Sequence, residues 1–377
     1  MLGKIRQAGL GLAFAAILVL LPVVEGAFAQ QSSSSVRPPD STGSTAPSAS
    51  AQGGAVPGGA LGNVSDAELW RKVRHGAAGR VSIPDPNAAV LVQSQGEDFR
   101  LFRDNQLRQA GAWALLVVVV LLALFFLIRG RVRVESGLSG RTVLRFKFWE
   151  RFAHWLTAGS FVVLGLTGLN MLYGKTVLMP VIGQSAFATL TLAGKYAHNF
   201  LGFSFTLGVL LMIVLWIRDN LPSRHDVKWI AVGGGLFGKG IHPPAKKFNA
   251  GQKLVFWVVV LSGLSLAASG FSLMFPFQFA LFEGTFRFLN LFGFGLATDL
   301  TPLQETQLAL IWHNVVALVA IVLIIAHIYI GSLGMEGAID AVTTGEVDEN
   351  WAREHHSLWL KEVGDTAAEP EPSSAAE

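Results

Sequence analysis

Residues 308–333 read LALIWHNVVALVAIVLIIAHIYIGSL. The run contains no Asp, Glu, Lys or Arg and exceeds the about 20 apolar residues needed to cross a bilayer. In lipid the backbone must satisfy its own hydrogen bonds, so the run is read as one transmembrane helix. It carries two histidines, His313 and His327, 14 residues apart. At ~1.5 Å per residue they are separated by roughly 21 Å along the axis. Steps of ~100° per residue leave them about 40° apart around it. One helix therefore presents two imidazoles on one face at two depths.

Four further runs are long and apolar enough to span: 111–128, 152–173, 196–217 and 254–275. A buried core helix is the competing reading of any one run, and it is weak for five in one chain. Composition agrees, with 51% of the 377 residues hydrophobic and 15% charged, against about 25% charged in soluble domains. The chain has no cysteine. That excludes disulfides, iron–sulfur ligation by this chain and a covalent haem site, so any metal or haem falls to the nine histidines.

Lys4 and Arg6 precede an apolar run from Leu10 to Val24, and Ala27-Phe28-Ala29 follows before Gln30. Residues 1–29 are expected to be a cleaved secretory signal, with an uncleaved anchor as the alternative. Residues 30–60 are Gln, Ser, Pro, Gly, Thr and Ala with almost no charge, a composition expected of a disordered linker. Residues 61–110 are expected to be a short periplasmic segment lying against a partner, with a helix at Asp66–His75 and a strand at Ala88–Gln93.

Basic residues orient the spans. Arg129, Arg131, Arg133, Arg141, Arg145, Lys147 and Arg151 lie between the first and second. Arg218, Arg224, Lys228, Lys239, Lys246, Lys247 and Lys253 lie between the third and fourth. The other connections, at 176–192 and 276–297, are apolar loops expected at the outer interface. The N-terminus then lies in the periplasm and the tail, 334–377, in the cytoplasm, with disorder expected after Gly364. The transmembrane region runs over 111–333.

Ionisable residues inside a membrane are functional hypotheses by default. Four histidines fall in the spans. His154 opens the second at its inner end, His198 opens the third at its outer end, and His313 and His327 sit near the outer and inner ends of the fifth. Pairing by depth sets His198 with His313 and His154 with His327. Each pair offers two neutral imidazoles, one from each of two helices, to one haem iron. A lone intramembrane histidine more often bonds a neighbouring helix; matched depths and a shared face favour ligation here. Zinc and di-iron sites fit less well, since no carboxylate accompanies the histidines in the spans. His75, His225, His242, His355 and His356 lie in polar sequence and are read as solvated.

Three stretches carry a resemblance: Phe148-Trp149-Glu150-Arg151-Phe152-Ala153-His154-Trp155, Lys247-Phe248-Asn249-Ala250-Gly251-Gln252-Lys253, and the span with His313 and His327. Trp351-Ala352-Arg353-Glu354-His355-His356 adds a fourth. Over roughly 145–362 the chain resembles the cytochrome b (gamma) subunit of membrane-bound bacterial formate dehydrogenase. The resemblance implies an all-α membrane protein: a four-helix dihaem cytochrome b bundle, here with an extra N-terminal transmembrane helix and a signal peptide. It implies two b haems, one on His154 and His327 and one on His198 and His313, and a quinone site using Asn249, Gly251 and Gln252 near His327. Amides can bond a quinone carbonyl, glycine permits close approach, and Asn249 can also cap the fourth span. Lys253 is expected to reach lipid head groups. Partners implied are a periplasmic iron–sulfur (beta) subunit and a molybdenum or tungsten catalytic (alpha) subunit that oxidises formate, at the bacterial inner membrane.

Two alternatives remain open. One is the cytochrome b subunit of a nickel–iron hydrogenase or related reductase. The other is a haem-free anchor or transporter, although no convincing internal repeat accompanies it. Gly233–Gly240 has glycine and lysine near P-loop spacing, but Gly240 stands where Ser or Thr is required, and the stretch is read as a loop.

Overall fold

The computed structural model describes residues 94–235 and 240–368. The expected signal, linker and short elements at Asp66–His75 and Ala88–Gln93 lie outside the described residues, as do the middle of the Gly233–Gly240 loop and the last residues of the tail. Among the described residues there are five helices long and apolar enough to cross a membrane. They are α1 (Arg108–Arg129), α2 (Phe148–Val177), α3 (Gln184–Trp216), α4 (Ala250–Met274) and α5 (Pro302–Tyr329). The chain is a mostly helical, multi-pass membrane protein.

The helices outrun the apolar stretches that announce them, because interfacial aromatic and polar residues extend a helix without raising hydropathy. Helix precedes α1, as Ser94–Leu101 and a π-helical turn at Phe102–Leu107. The expected loop at 176–192 is mostly helical. α2 runs to Val177, a short turn covers Met179–Ile182, and Gly183, at φ 80°, forms the break before α3. The expected loop at 276–297 contains the helix Leu281–Asn290.

The described residues divide into two compact units, one holding Phe282–Gln307 and residues 94–107, the other the described residues of 108–281 and 308–368. In the first, the Glu305 carboxylate accepts from the backbone N–H groups of Phe282 (2.9 Å) and Glu283 (2.6 Å). These are donors that a helix start otherwise leaves unpaired.

In the second unit α2 to α5 close a ring of contacts. α2 meets α3 at Gly208, where an added side-chain carbon would lie 3.0 Å from the backbone nitrogen of Thr157. Small residues of this kind let membrane helices approach closely. α3 meets α4 where Phe205 and Val209 pack on Gly263, and α5 meets α2 where Ile321 faces Gly165. α4 meets α5 where Trp312 Nε1 donates to Ser265 Oγ at 2.6 Å. Outward positions such as Leu166, Val214, Leu254 and Leu261 are exposed and apolar. α1 buries only Gly111, against Tyr173 of α2 and Leu318 of α5.

The end of the unit that carries His154 is closed by an endpiece drawn from distant stretches. Strand β1 (Thr142–Leu144) pairs antiparallel with β2 (Glu346–Asp348), Val143 opposite Val347. The Glu354 carboxylate accepts from Ser136 Oγ (2.6 Å) and from the Ser136 and Glu135 backbone. Burial pushes that carboxyl up, but these bonds outweigh it and hold it below the ordinary range. Trp351, Trp359 and Phe146 surround the Arg145 guanidinium at 5.0, 5.8 and 5.1 Å, a cation–π box. Burial lowers Arg145 to about 9, which still leaves it charged at neutral pH.

Three expectations are corrected here. His356, read as solvated, is fully buried and donates from Nδ1 to the Lys246 carbonyl at 2.7 Å. Burial, and then the nearby Arg145 charge, hold it neutral, well below 6.5. His355 is half-buried and tilted against Trp351, and burial brings it to about 4. Lys253, expected among lipid head groups, is buried and bonds the Asp226 carboxylate and the Leu221 carbonyl, each at 2.9 Å. The tail is therefore packed structure at least as far as Trp359.

Candidate functional site

The ring of helices brings the four intramembrane histidines together in two pairs. His198 of α3 faces His313 of α5 with ring centroids 6.2 Å apart and planes at 62°. His154 of α2 faces His327 of α5 at 6.4 Å and 61°. All four rings are half-buried.

These separations can be tested against one metal ion held between two imidazoles. A ring nitrogen binds a first-row metal at about 2.0 Å, and partial-double-bond C–N lengths of ~1.33 Å put that nitrogen roughly 1.1 Å from the ring centre. Two rings on opposite sides of one ion thus stand with centres about 6.2 Å apart. Both pairs meet this spacing, and rotation about the metal–nitrogen bond leaves the angle between the planes free. Among the described residues no cluster of three His, Cys, Asp or Glu could hold a bare ion. Two imidazoles alone suit a metal whose remaining ligands come from a macrocycle, as in haem.

The second ring nitrogens differ between the pairs. His198 Nδ1 lies 2.9 Å from Thr167 Oγ1, and His313 Nδ1 lies 2.9 Å from Ser269 Oγ. Both hydroxyls already donate to carbonyls of their own helix, Thr167 to Val163 at 2.7 Å and Ser269 to Ser265 at 2.9 Å. A hydroxyl has one proton, so each accepts from the histidine Nδ1–H and leaves Nε2 as the free ligand nitrogen. His154 Nδ1 is buried without a hydrogen-bond partner.

Asn249 and Gln252 form a reciprocal cap at the start of α4. Asn249 Oδ1 accepts from the Gln252 N–H at 3.0 Å, and Gln252 Oε1 accepts from the Asn249 N–H at 3.1 Å. Arg145 Nη2 donates to the same Gln252 oxygen at 3.2 Å. The cap thereby uses both amide oxygens and leaves both NH₂ groups as donors. Gly251 admits Trp229, whose ring an added side-chain carbon would approach to 2.8 Å. The amides and His154 share a framework: Lys247, two residues before Asn249, contacts Glu150 at 2.6 Å, and Glu150 lies one helical turn before His154.

Sequence reading passed over Thr167, Ser269, Arg145 and Trp229. The first two had a legible signal, because each is followed by glycine in a Leu-x-x-Ser/Thr-Gly segment, Leu164–Gly168 and Leu266–Gly270. Arg145 and Trp229 had none, since their contacts join stretches far apart in the chain.

Comparison with known proteins identifies the family. The chain is 24% identical over 235 residues to the nitrate-inducible formate dehydrogenase cytochrome b556(Fdn) subunit of Escherichia coli K12, covering 62% of this chain and 97% of that one. It is 28% identical over 232 residues to the formate dehydrogenase cytochrome b556(fdo) subunit of the same strain, covering 60% and 95%. For the formate dehydrogenase cytochrome b556 subunit of Haemophilus influenzae the identity is 22% over 223 residues, covering 58% and 83%. The family described as prokaryotic cytochrome b561 matches residues 145–345, a stretch that includes all four paired histidines and the α4 cap. This chain belongs to the prokaryotic cytochrome b561 family, membrane electron-transfer proteins that bind haem b.

Proposed function

We propose that this chain is the dihaem electron-transfer subunit of a formate dehydrogenase complex and delivers electrons to quinone. The observation that carries the reading is the pair of imidazole separations, 6.2 and 6.4 Å, on one shared helix. Two b haems, when bound, supply one-electron carriers at two depths of the membrane. His198 and His313 hold the outer one, and His154 and His327 the inner one. The concentration of Arg and Lys around the His154 end supports placing that end in the cytoplasm. The N-terminus is then periplasmic after signal cleavage, in the inner membrane.

The donor comes from the relatives, which are named as formate dehydrogenase subunits. A molybdenum- or tungsten-containing partner oxidises formate to carbon dioxide, one proton and two electrons, and an iron–sulfur partner passes the electrons on. At the other end Asn249 and Gln252 direct amide N–H groups at a quinone carbonyl. The quinone gains two electrons and two cytoplasmic protons to become quinol. Gly251 admits Trp229 as a wall beside these amides.

The test is to purify the native complex, identify its subunits and titrate it with formate. Two b-type haems per chain, both reduced by formate, are expected. His313→Ala and His327→Ala should each lose one. A preparation with no b-type spectrum contradicts the reading, and haems reduced by hydrogen but not by formate would point to the hydrogenase alternative.

A further inference from the structure

The two partners of His198 and His313 repeat one local design on two helices. On α2, Leu164-Gly-Leu-Thr167-Gly168 faces His198. On α4, Leu266-Ala-Ala-Ser269-Gly270 faces His313. In each, the hydroxyl sits 2.9 Å from Nδ1. In each, the leucine carbonyl three residues earlier stands beside the same ring. In each, the glycine lies against the ring edge: a side-chain carbon at Gly168 or Gly270 would be 3.6 or 3.5 Å from Cε1. The two segments are too far apart in sequence to be one element, yet both give an imidazole an acceptor for its Nδ1 proton and a flat floor.

An acceptor on Nδ1–H draws that proton outward and makes Nε2 more electron-rich, the established effect of outer partners on ligating histidines. An electron-rich ligand favours the oxidised, more positive metal, so the reduction potential falls. His154 lacks this support, because its Nδ1 is buried and has no partner.

We infer that Thr167 and Ser269 are positioning residues that fix the tautomer of His198 and His313 and lower the potential of the haem held there relative to the one held by His154 and His327. The inference rests on the dihaem reading above. It gives the pair of sites a downhill direction, from the His198–His313 level to the His154–His327 level, built from two hydroxyls.

The experiment is an optical redox titration of the purified complex. The component lost in His313→Ala identifies the site on that level. In the wild type that component is expected to have the lower midpoint. Thr167→Val combined with Ser269→Ala should raise its midpoint by about tenfold in the reduction equilibrium, ~59 mV for one electron, with the other haem unchanged. Thr167→Ser should restore the wild-type value, because it returns the acceptor alone. An unchanged midpoint in the double variant with both haems retained overturns the inference, as does a wild type in which this site has the higher midpoint. If the double variant loses haem, the single Thr167→Val and Ser269→Ala variants decide, since each removes one acceptor: a raised midpoint in either supports the inference, and a wild-type midpoint in both overturns it. Failure of the dihaem reading is separately visible: His313→Ala would then keep the full haem content.

Discussion

Glu150 and Lys247 meet at 2.6 Å between the first turn of α2 and the stretch that leads into α4. The same carboxylate accepts from Trp216 Nε1 of α3 at 2.8 Å and from the Lys147 backbone at 2.8 Å. One carboxylate thus ties three of the four ring helices at the level of His154. Glu150→Ala leaves the Trp216 indole N–H without its acceptor and the Lys247 ammonium with only the longer ion pair to Asp219 at 3.6 Å, and should cost about 1–3 kcal/mol. Glu150→Gln, which keeps an oxygen for Trp216, should cost less. Thermal unfolding of the detergent-solubilised complex checks both, and an Ala variant that melts like the wild type would remove this role.

The quinone reading makes a prediction that separates donor from cap. Asn249→Asp and Gln252→Glu keep the oxygens that build the cap and replace each NH₂ with an acceptor. Helix α4 should remain intact. Quinone binding should weaken about tenfold for each lost bond of ~1.4 kcal/mol. Reoxidation of formate-reduced enzyme at increasing quinone concentration gives the apparent KM. An unchanged KM in both variants argues that the amides serve only as a cap.

Gly208 predicts how closely α2 and α3 must approach. Any added side-chain carbon there meets Thr157, including its backbone at 3.0 and 3.1 Å. Gly208→Ala should cost about 1–3 kcal/mol by overpacking, and Gly208→Leu should separate the helices. Since α2 carries His154 and α3 carries His198, the Leu variant is expected to lose haem at both levels, measured as haem per protein after purification. Full haem content would show that the contact is not required.

The endpiece should loosen in mild acid. His356 is neutral when folded, held far below the ordinary value of about 6.5 by burial and Arg145, while Glu354 favours a proton on His355 without overcoming its burial. Below the unfolded value the unfolded tail binds protons that the folded one does not. Stability therefore falls as pH drops from ~6.5, by up to about 1.4 kcal/mol per pH unit for each histidine. For His355 the loss ends near its folded value of about 4. Glu354, whose folded value is depressed, contributes at higher pH and loses its contribution at lower pH still. Protease sensitivity of the tail between pH 7.5 and 5 tests this, and His356→Gln should flatten the profile. A profile in the variant as steep as the wild type's would assign the effect elsewhere.

The spans and the two-level arrangement of histidines were legible because both follow from local rules, hydropathy over a window and the angular step of a helix. His313 and His327 lie on one element, so their relative placement needs no knowledge of the fold. His356 was misread because its burial depends on Trp351 and on a carbonyl at Lys246, more than a hundred residues away. Lys253 was misread for a like reason. Its partner Asp226 sits on another helix, and a lysine at a membrane boundary looks the same whether it meets water or a carboxylate. Thr167 and Ser269 fell between these cases, since their segments are local but their meaning appears only when a histidine from another helix lies against them.

The pairing of β1 with β2 also dictates a timetable. Residues 142–144 leave the ribosome some two hundred positions before the strand that receives them, and domains form from the N-terminus during synthesis. Until Glu346–Asp348, Trp351 and Trp359 emerge, the Arg145 charge has only Phe146 of its aromatic box and the end of the ring near His154 lacks its β2 strand. Closure of that end of the ring therefore waits for a stretch made some two hundred residues after the one it seals.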